Sequence, residues 1–309
     1  MQPSDYWRTR AGAADKGVLA PRRGEPGLAP IAADAAAQHA ADAPVRLARF
    51  PAPPPVAHVV RHFWVPRWRL PAGVVIEQGV LEYPSANLVV EPDGTALHGP
   101  SIGRGVSRLE GEGWAVGALL QPGVAGLIAP GEVRSLVGGS VPVEALRLRG
   151  TAAGVSRVRT AAEDGRDDEA VAAFADWLGA QHIVLDPDAA LAARVVELAE
   201  TDRTILRAGE LADASGLGLR ALERLVRARL GLTPKWLISR YRMQEAAHRL
   251  AADDPPSLAD LAAELGFVDQ AHFTREFRTV IGETPRRYAA AAQATRAAGV
   301  PSGHPADLG

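Results

Sequence analysis

Gly231-Leu232-Thr233-Pro234 returns as Gly282-Glu283-Thr284-Pro285, 51 residues further on, and the same step carries Arg224 onto Arg275, Val226 onto Phe277 and Leu230 onto Ile281. Leu211-Ala212 and Gly216 return as Leu261-Ala262 and Gly266 at a step of 50, which puts one inserted residue in the turn. One unit is therefore used twice between Arg203 and Ala290. The fold must bury one common face in both copies and leave another common face outside.

In the second copy, Ser257 and Asp260 form a capping-box pattern ahead of Leu258, Leu261 and Leu265, and Gly266 suits a left-handed helix end. Asp269 starts the next helix, whose apolar positions Phe273, Phe277, Val280 and Ile281 fall on one stripe. In the first copy, Leu211 and Ala212 lie on the short helix, Gly216 in the turn, and Leu222, Leu225, Val226 and Leu230 on the stripe of the longer helix. A short helix, a tight turn with glycine and a second helix with an arginine-bearing outer face is the sequence form of helix-turn-helix. Some 18 residues from Pro234 to about Ala251 form a joining helix roughly 27 Å long, which sets two reading heads about one DNA turn apart. Trp236 and Tyr241 belong to the core of that helix.

The outer faces carry nucleic-acid chemistry. The first head presents Arg220, Glu223, Arg224 and Arg227; the second presents Gln270, Ala271, His272, Thr274, Arg275 and Arg278. Arginine pairs bidentately with guanine, glutamine with adenine, and glutamate accepts from cytosine N4, each worth roughly 1–3 kcal/mol of discrimination. Arg286 and Arg287, with the helix N-termini after Thr233 and Thr284, suit phosphate contacts that fix register. Over residues 218–249, eight basic side chains stand against Glu223 and Glu245, although the whole chain has a formal charge of −2. The charge gathers where contact with a polyanion would need it.

These residues carry a resemblance. LADLAAELGFVDQAHFTREFRTVIGETPRRY, Leu258 to Tyr288, resembles the AraC/XylS-type DNA-binding domain at nearly every defining position of that family's signature. The resemblance implies double-stranded DNA as partner, two successive major-groove segments as target, activation rather than repression, and RNA polymerase as a further contact. It directs Arg220, Glu223 and Arg224 of the first recognition helix toward bases, and Gln270, Ala271, Thr274 and Arg275 of the second. The first copy departs from the family at Gly218-Leu219, where a polar N-cap is usual.

Before the repeat, residues 56 to about 143 form short runs rich in Val, Ile, Leu and Trp: HVVRHFWV, GVVIEQGVLEY, ANLVVE, GWAVGALL and AGLIA, separated by Gly, Pro or Asn. Strands at this spacing predict an antiparallel sandwich or barrel with Trp64, Trp68 and Trp114 in its core and His98 in a loop. RHFWV (Arg61 to Val65), Pro84, Asn87-Leu88-Val89-Val90, Gly99-Pro100, VGALLQPG and VPVEAL (Val141 to Leu146) are similar to a β-rich N-terminal domain on one branch of the same family, whose ligand is unknown. That domain reads as a small-molecule effector sensor or as a module forming a homodimer. Between Glu163 and Asp202, eleven acidic residues against Arg166 and Arg194 predict two connecting helices, the second capped by Asp186 before Pro187.

The expected class is α+β multidomain: a sandwich- or barrel-like β-rich domain, then an all-α domain with two helix-turn-helix units. The expected divisions are a disordered Ala/Pro-rich extension over 1–55, in which Ala-rich 31–42 forms at most a transient helix, a β-rich sensor or dimerisation domain over 56–150, and acidic connecting helices over 151–202. The double helix-turn-helix domain follows over 203–292 and a disordered tail over 293–309.

Catalysis, cofactor and metal are not expected. The chain has no cysteine, which removes thiol nucleophiles, Cys-ligated zinc and the methyl-accepting repair proteins with a similar DNA-binding domain. G-x-S-x-G, H-E-x-x-H and P-loop patterns are also missing. His58 and His62, on one strand, would stand roughly 13 Å apart, too far for one ion. The apolar stretch between Glu112 and Glu132 is broken by Gly and Pro into strand-length pieces, so no membrane span is expected, and Glu25-Pro26 stands where a signal peptide would have its apolar core. A cytoplasmic protein is the expectation. The competing reading is a cupin-like β-domain enzyme, or a protein-interaction module, fused to a DNA-binding tail.

Overall fold

The computed structural model describes residues 29–30, 45–80, 83–103, 105–252 and 254–297. The expected extension up to residue 44, apart from 29–30, lies outside the described residues, as does the tail beyond 297. The strands are β1 (Ala29–Pro30), β2 (Val45–Pro51), β3 (Val60–Arg69), β4 (Val75–Val80), β5 (Asn87–Val90), β6 (Thr95–His98), β7 (Gly105–Glu110), β8 (Glu112–Trp114), β9 (Val116–Leu120) and β10 (Ser140–Pro142). The main sheet runs β1-β2-β3-β9-β5-β6-β10 with β8 also beside β3, and β4 and β7 form a separate two-stranded ribbon. All pairs are antiparallel except β1 with β2.

Three expectations are corrected here. Val45–Pro51 is a paired strand, not part of a disordered extension: it runs antiparallel to β3, from Val45 opposite Trp68 to Pro51 opposite His62. AGLIA is a helical turn, α1 (Ala125–Ile128), because a short apolar run carries no periodicity that separates a buried turn of helix from a strand. His98 ends β6, paired with Asn87, rather than lying in a loop.

The sheet packs against two helices, α2 (Thr151–Glu163) and α3 (Asp167–Gly179). Phe63 and Val65 of β3 enter this core, with the Phe63 ring 5.7 Å from that of Phe174. The helices cross at Gly154, where a Cβ would stand 2.4 Å from Trp177 Cγ. On the strand face opposite Phe63, Trp64 lies across β9: a Cβ on Gly117 would meet its indole at 2.0 Å, and the indole N–H donates to Asn87 Oδ1 at 3.0 Å. Trp114 is buried as expected, whereas Trp64 and Trp68 are half-buried with their N–H groups bonded.

The two helices expected between Glu163 and Asp202 are present, α3 and one that follows it, with α2 before them in 151–202; α2 and α3 are not connectors, since both pack into the core of the β domain. The acids over Asp167–Glu169 sit in the first turn of α3, where negative charge favours the helix dipole, and Asp167 accepts from Arg67 at 2.6 Å. The third, α4 (Pro187–Thr201), begins at Asp186, whose side chain accepts from the Ala189 N–H at 2.7 Å. Its Ala192, Val195, Val196 and Ala199 pack into the helical domain, which thus starts near 186 rather than at 203.

The helical domain continues with α5 (Ala208–Ser215), α6 (Leu219–Leu230), α7 (Pro234–Leu250), α8 (Leu258–Glu264), α9 (Gln270–Ile281) and α10 (Pro285–Ala297). Helix α10 runs to Ala297 and so takes in the first five residues of the expected tail. Two cores divide this domain, one formed by α4 to α7 and one by α7 to α10, so α7 is shared.

The β domain grips the first of these cores. The turn Val133–Leu136 presses on the end of α6, where a Cβ on Gly231 would stand 2.9 Å from Arg134 Cα and 2.7 Å from Val137 Cγ2. Arg61 of β3 donates to Glu200 of α4 at 2.8 Å, and the Trp236 indole N–H donates to the Ile102 carbonyl at 3.0 Å. Around Arg61 gather Tyr83, 5.1 Å from its guanidinium, and the fully buried Arg240, 5.7 Å from the same ring. Burial works against the Arg61 charge, but Glu200, Tyr83 and Tyr241 together outweigh it and hold the pKa above its ordinary value. His62 beside it is pushed down to about 3 by burial and by the nearby Arg49 and Arg61, so it is neutral.

Candidate nucleic-acid interface

Helices α5 and α6 form one helix-turn-helix unit, and α8 and α9 form the other. Both turns use a left-handed glycine, Gly216 at φ +71° and Gly266 at φ +70°. In the second unit Ser257 Oγ accepts from the Asp260 N–H at 3.1 Å and Asp269 Oδ1 from the His272 N–H at 2.6 Å, so both helices start at the predicted caps. In the first, Gly218 precedes α6 with no side-chain cap, which is the local consequence of the departure noted at Gly218-Leu219.

The buried stripes are those predicted: Leu222, Leu225, Val226 and Leu230 on α6, and Phe273, Phe277 and Ile281 on α9, with Val280 half-buried. Burying these stripes leaves Arg220, Glu223, Arg224 and Arg227 exposed on α6, and Gln270, Ala271, Arg275 and Arg278 exposed on α9. Thr274 is half-buried. His272 is turned partly inward, its ring edge-on to Phe267 at 5.3 Å. Arg286 and Arg287 are exposed in the first turn of α10. Thr233 and Thr284 play the same part in the two copies, each accepting a backbone N–H of the following helix, from Trp236 at 3.2 Å and from Arg287 at 3.5 Å.

Charge sorts by position. Among the described residues, no ion pair holds Arg220, Arg224, Arg227, Arg275, Arg278, Arg286 or Arg287. Off the reading face the arginines are engaged: Arg229 with Asp186 at 2.9 Å, Arg249 with Glu264 at 2.6 Å and Arg203 with Glu245 at 3.2 Å. Arg242 lays its guanidinium 3.8 Å over the Phe267 ring, and burial lowers its pKa. The basic excess counted over 218–249 is thus partly internal, and the part left for a partner is Arg220, Arg224, Arg227 and Lys235.

Lys235, counted in that excess but not among the expected contact residues, is exposed one step of 51 before Arg286, so the repeat itself relates the two positions. Helix α7, predicted from Pro234 to about Ala251, runs Pro234–Leu250, or about 26 Å, with the two units at its ends. His58 and His62 do not meet over a metal: His58 Nε2–H donates to the Ile183 carbonyl at 2.9 Å, while His62 packs edge-on to Tyr83. The described residues hold no group of three or more His, Asp or Glu placed to share an ion, and no helix among them is long and apolar enough to cross a membrane.

A family described as a helix-turn-helix domain matches residues 211–291, the two units and the helix between them. The chain carries an AraC/XylS-type helix-turn-helix domain. The chain is 37% identical, across 78 residues, to the HTH-type transcriptional activator RhaS of Pectobacterium carotovorum, and 38% identical across 77 residues to RhaS of Yersinia pestis. Each match covers 25% of this chain and 28% of the relative, so the chain spans little more than a quarter of the length of these relatives. A second family, a domain of unknown function (DUF6597), matches residues 48–142, which begin inside β2 and end with β10. Among solved structures, ToxT from Vibrio cholerae aligns over 74% of this chain and 98% of its own at 12% identity, with a TM-score of 0.39.

Proposed function

We propose that the protein is a sequence-specific, DNA-binding transcription regulator whose AraC-type domain reads two successive major-groove segments. The observation that carries this reading is the sorting of arginines: among the described residues seven exposed guanidiniums without ion pairs lie on or beside the outer faces of two equivalently built units, and the repeat equates Arg224 with Arg275 and Arg227 with Arg278. Arg220, Glu223 and Arg224 on α6, with Gln270, Ala271, Thr274 and Arg275 on α9, contact bases. Arg227, Arg278, Arg286, Arg287 and Lys235 contact phosphates, and His272 contributes through its place against Phe267. Likeness to RhaS favours activation, with RNA polymerase as a further contact. The β domain acts as sensor or dimerisation module, and its packing on α4, α6 and α7 is the route by which it would bias the first reading unit.

Selection of bound duplexes from a random pool with the full chain tests this. Two conserved elements separated by about one turn of DNA, with affinity falling steeply as salt rises, are expected. Recovery of no common element overturns it.

A further inference from the structure

Large apolar side chains exposed to water are few among the described residues, and two of them stand at the leading ends of the reading helices: Leu219, 46% exposed, and Val268, 87% exposed. Leu219 is the first residue of α6 and occupies the place that the 51-residue step gives to Gln270 in the second unit. Val268 is the inserted residue of the second turn, immediately before the cap Asp269. Neither joins a core. The side chains beside them are the exposed groups assigned to base edges, Arg220 after Leu219 and Gln270 two places after Val268.

We infer that Leu219 and Val268 each read the C5-methyl group of a thymine, one in each half of the DNA site. The inference rests on the DNA-binding reading above and deepens it. The N-terminal residues of a recognition helix reach base edges, and the only apolar group on the major-groove edge is the thymine methyl. An isobutyl or isopropyl group cannot hydrogen-bond a base or neutralise a phosphate. What it gains from contact is the removal of apolar surface from water, and a methyl supplies such surface. The two heads then divide their work: guanidinium, carboxylate and amide groups read hydrogen-bonding edges, and one aliphatic group per head reads a methyl.

The test replaces single thymines by uracil, which deletes the methyl and leaves base pairing and charge intact. Full-length protein is first used to select its duplex, and each thymine of that duplex is then changed singly to uracil and its affinity measured by competition. One sensitive thymine in each half-site is expected, with a loss of about four-fold from the missing methyl. L219A should abolish the sensitivity in one half-site and V268A in the other, while L219M and V268I retain it. The proposal is overturned if no thymine is sensitive, or if the sensitive positions stay sensitive in both alanine variants. Failure to select any duplex would instead overturn the DNA-binding reading itself, so the two failures are told apart.

Discussion

Gly231, which ends α6, lies against the backbone of Arg134 so closely that a Cβ there would stand 2.9 Å from Arg134 Cα. Its partner in the repeat, Gly282, ends α9 with the same left-handed backbone, at φ +90°. Gly282→Ala should therefore cost about 1–2 kcal/mol from left-handed strain alone. Gly231→Ala should add roughly 1–3 kcal/mol of overpacking against the β domain. Urea unfolding of both variants measures the difference, and equal losses would show that the contact is not tight.

The Arg61–Glu200 pair joins the two domains with side chains 16% and 4% exposed. Arg61→Met leaves a carboxylate buried beside Tyr241 and should destabilise the chain by about 3–5 kcal/mol. The double variant Arg61→Met, Glu200→Met should recover much of that loss. A double variant no more stable than the single one would mean that the pair itself stabilises the contact.

His62 gives the β domain an acid sensitivity. Its folded pKa of about 3 lies below the unfolded value near 6.5, so between these values the unfolded chain binds the extra proton and stability falls with pH. Between pH 7.5 and 5 this group should account for a loss of about 1–2 kcal/mol. His62→Phe should flatten the wild-type slope by that amount in paired urea titrations, and an unchanged slope would place the sensitivity elsewhere.

The arginines without ion pairs separate into two kinds of behaviour. Arg275→Ala should lose about 1–3 kcal/mol on the selected duplex and relax preference at one or two base pairs. Arg286→Ala or Lys235→Ala should weaken binding on all duplexes alike and reduce the salt slope by about one. If Arg275→Ala changes neither affinity nor preference, α9 does not read bases.

The helical domain was legible in the sequence because repetition removes ambiguity: two copies of a cap, stripe and glycine turn fix the register of each other. Asp269, Ser257, Thr233 and the stripes on α6 and α9 all fall where the pattern put them. Helix α2 was not legible, since its buried positions are small, Gly154, Ala161 and Ala162 beside Val155 and Val158, and give little apolar contrast. The acids at the start of α3 suggested a solvated connector, whereas Asp167 is held by Arg67 from a strand 100 residues away. Formal charge misled in the same manner over 218–249, because a count cannot see that Arg240 is buried and Arg229 paired.

Helix α7 lends residues to both cores of its domain, Ile238 and Tyr241 to one and Met243 and Leu250 to the other, without a break. A single residue added to it would rotate one unit against the other by about 100° and advance it by about 1.5 Å, turning a reading face away from its groove. Change in the length of this rod is therefore tolerable only in near-whole turns of three or four residues. The phase between the heads is held by screw geometry, and the choice of target is left to the side chains on their faces.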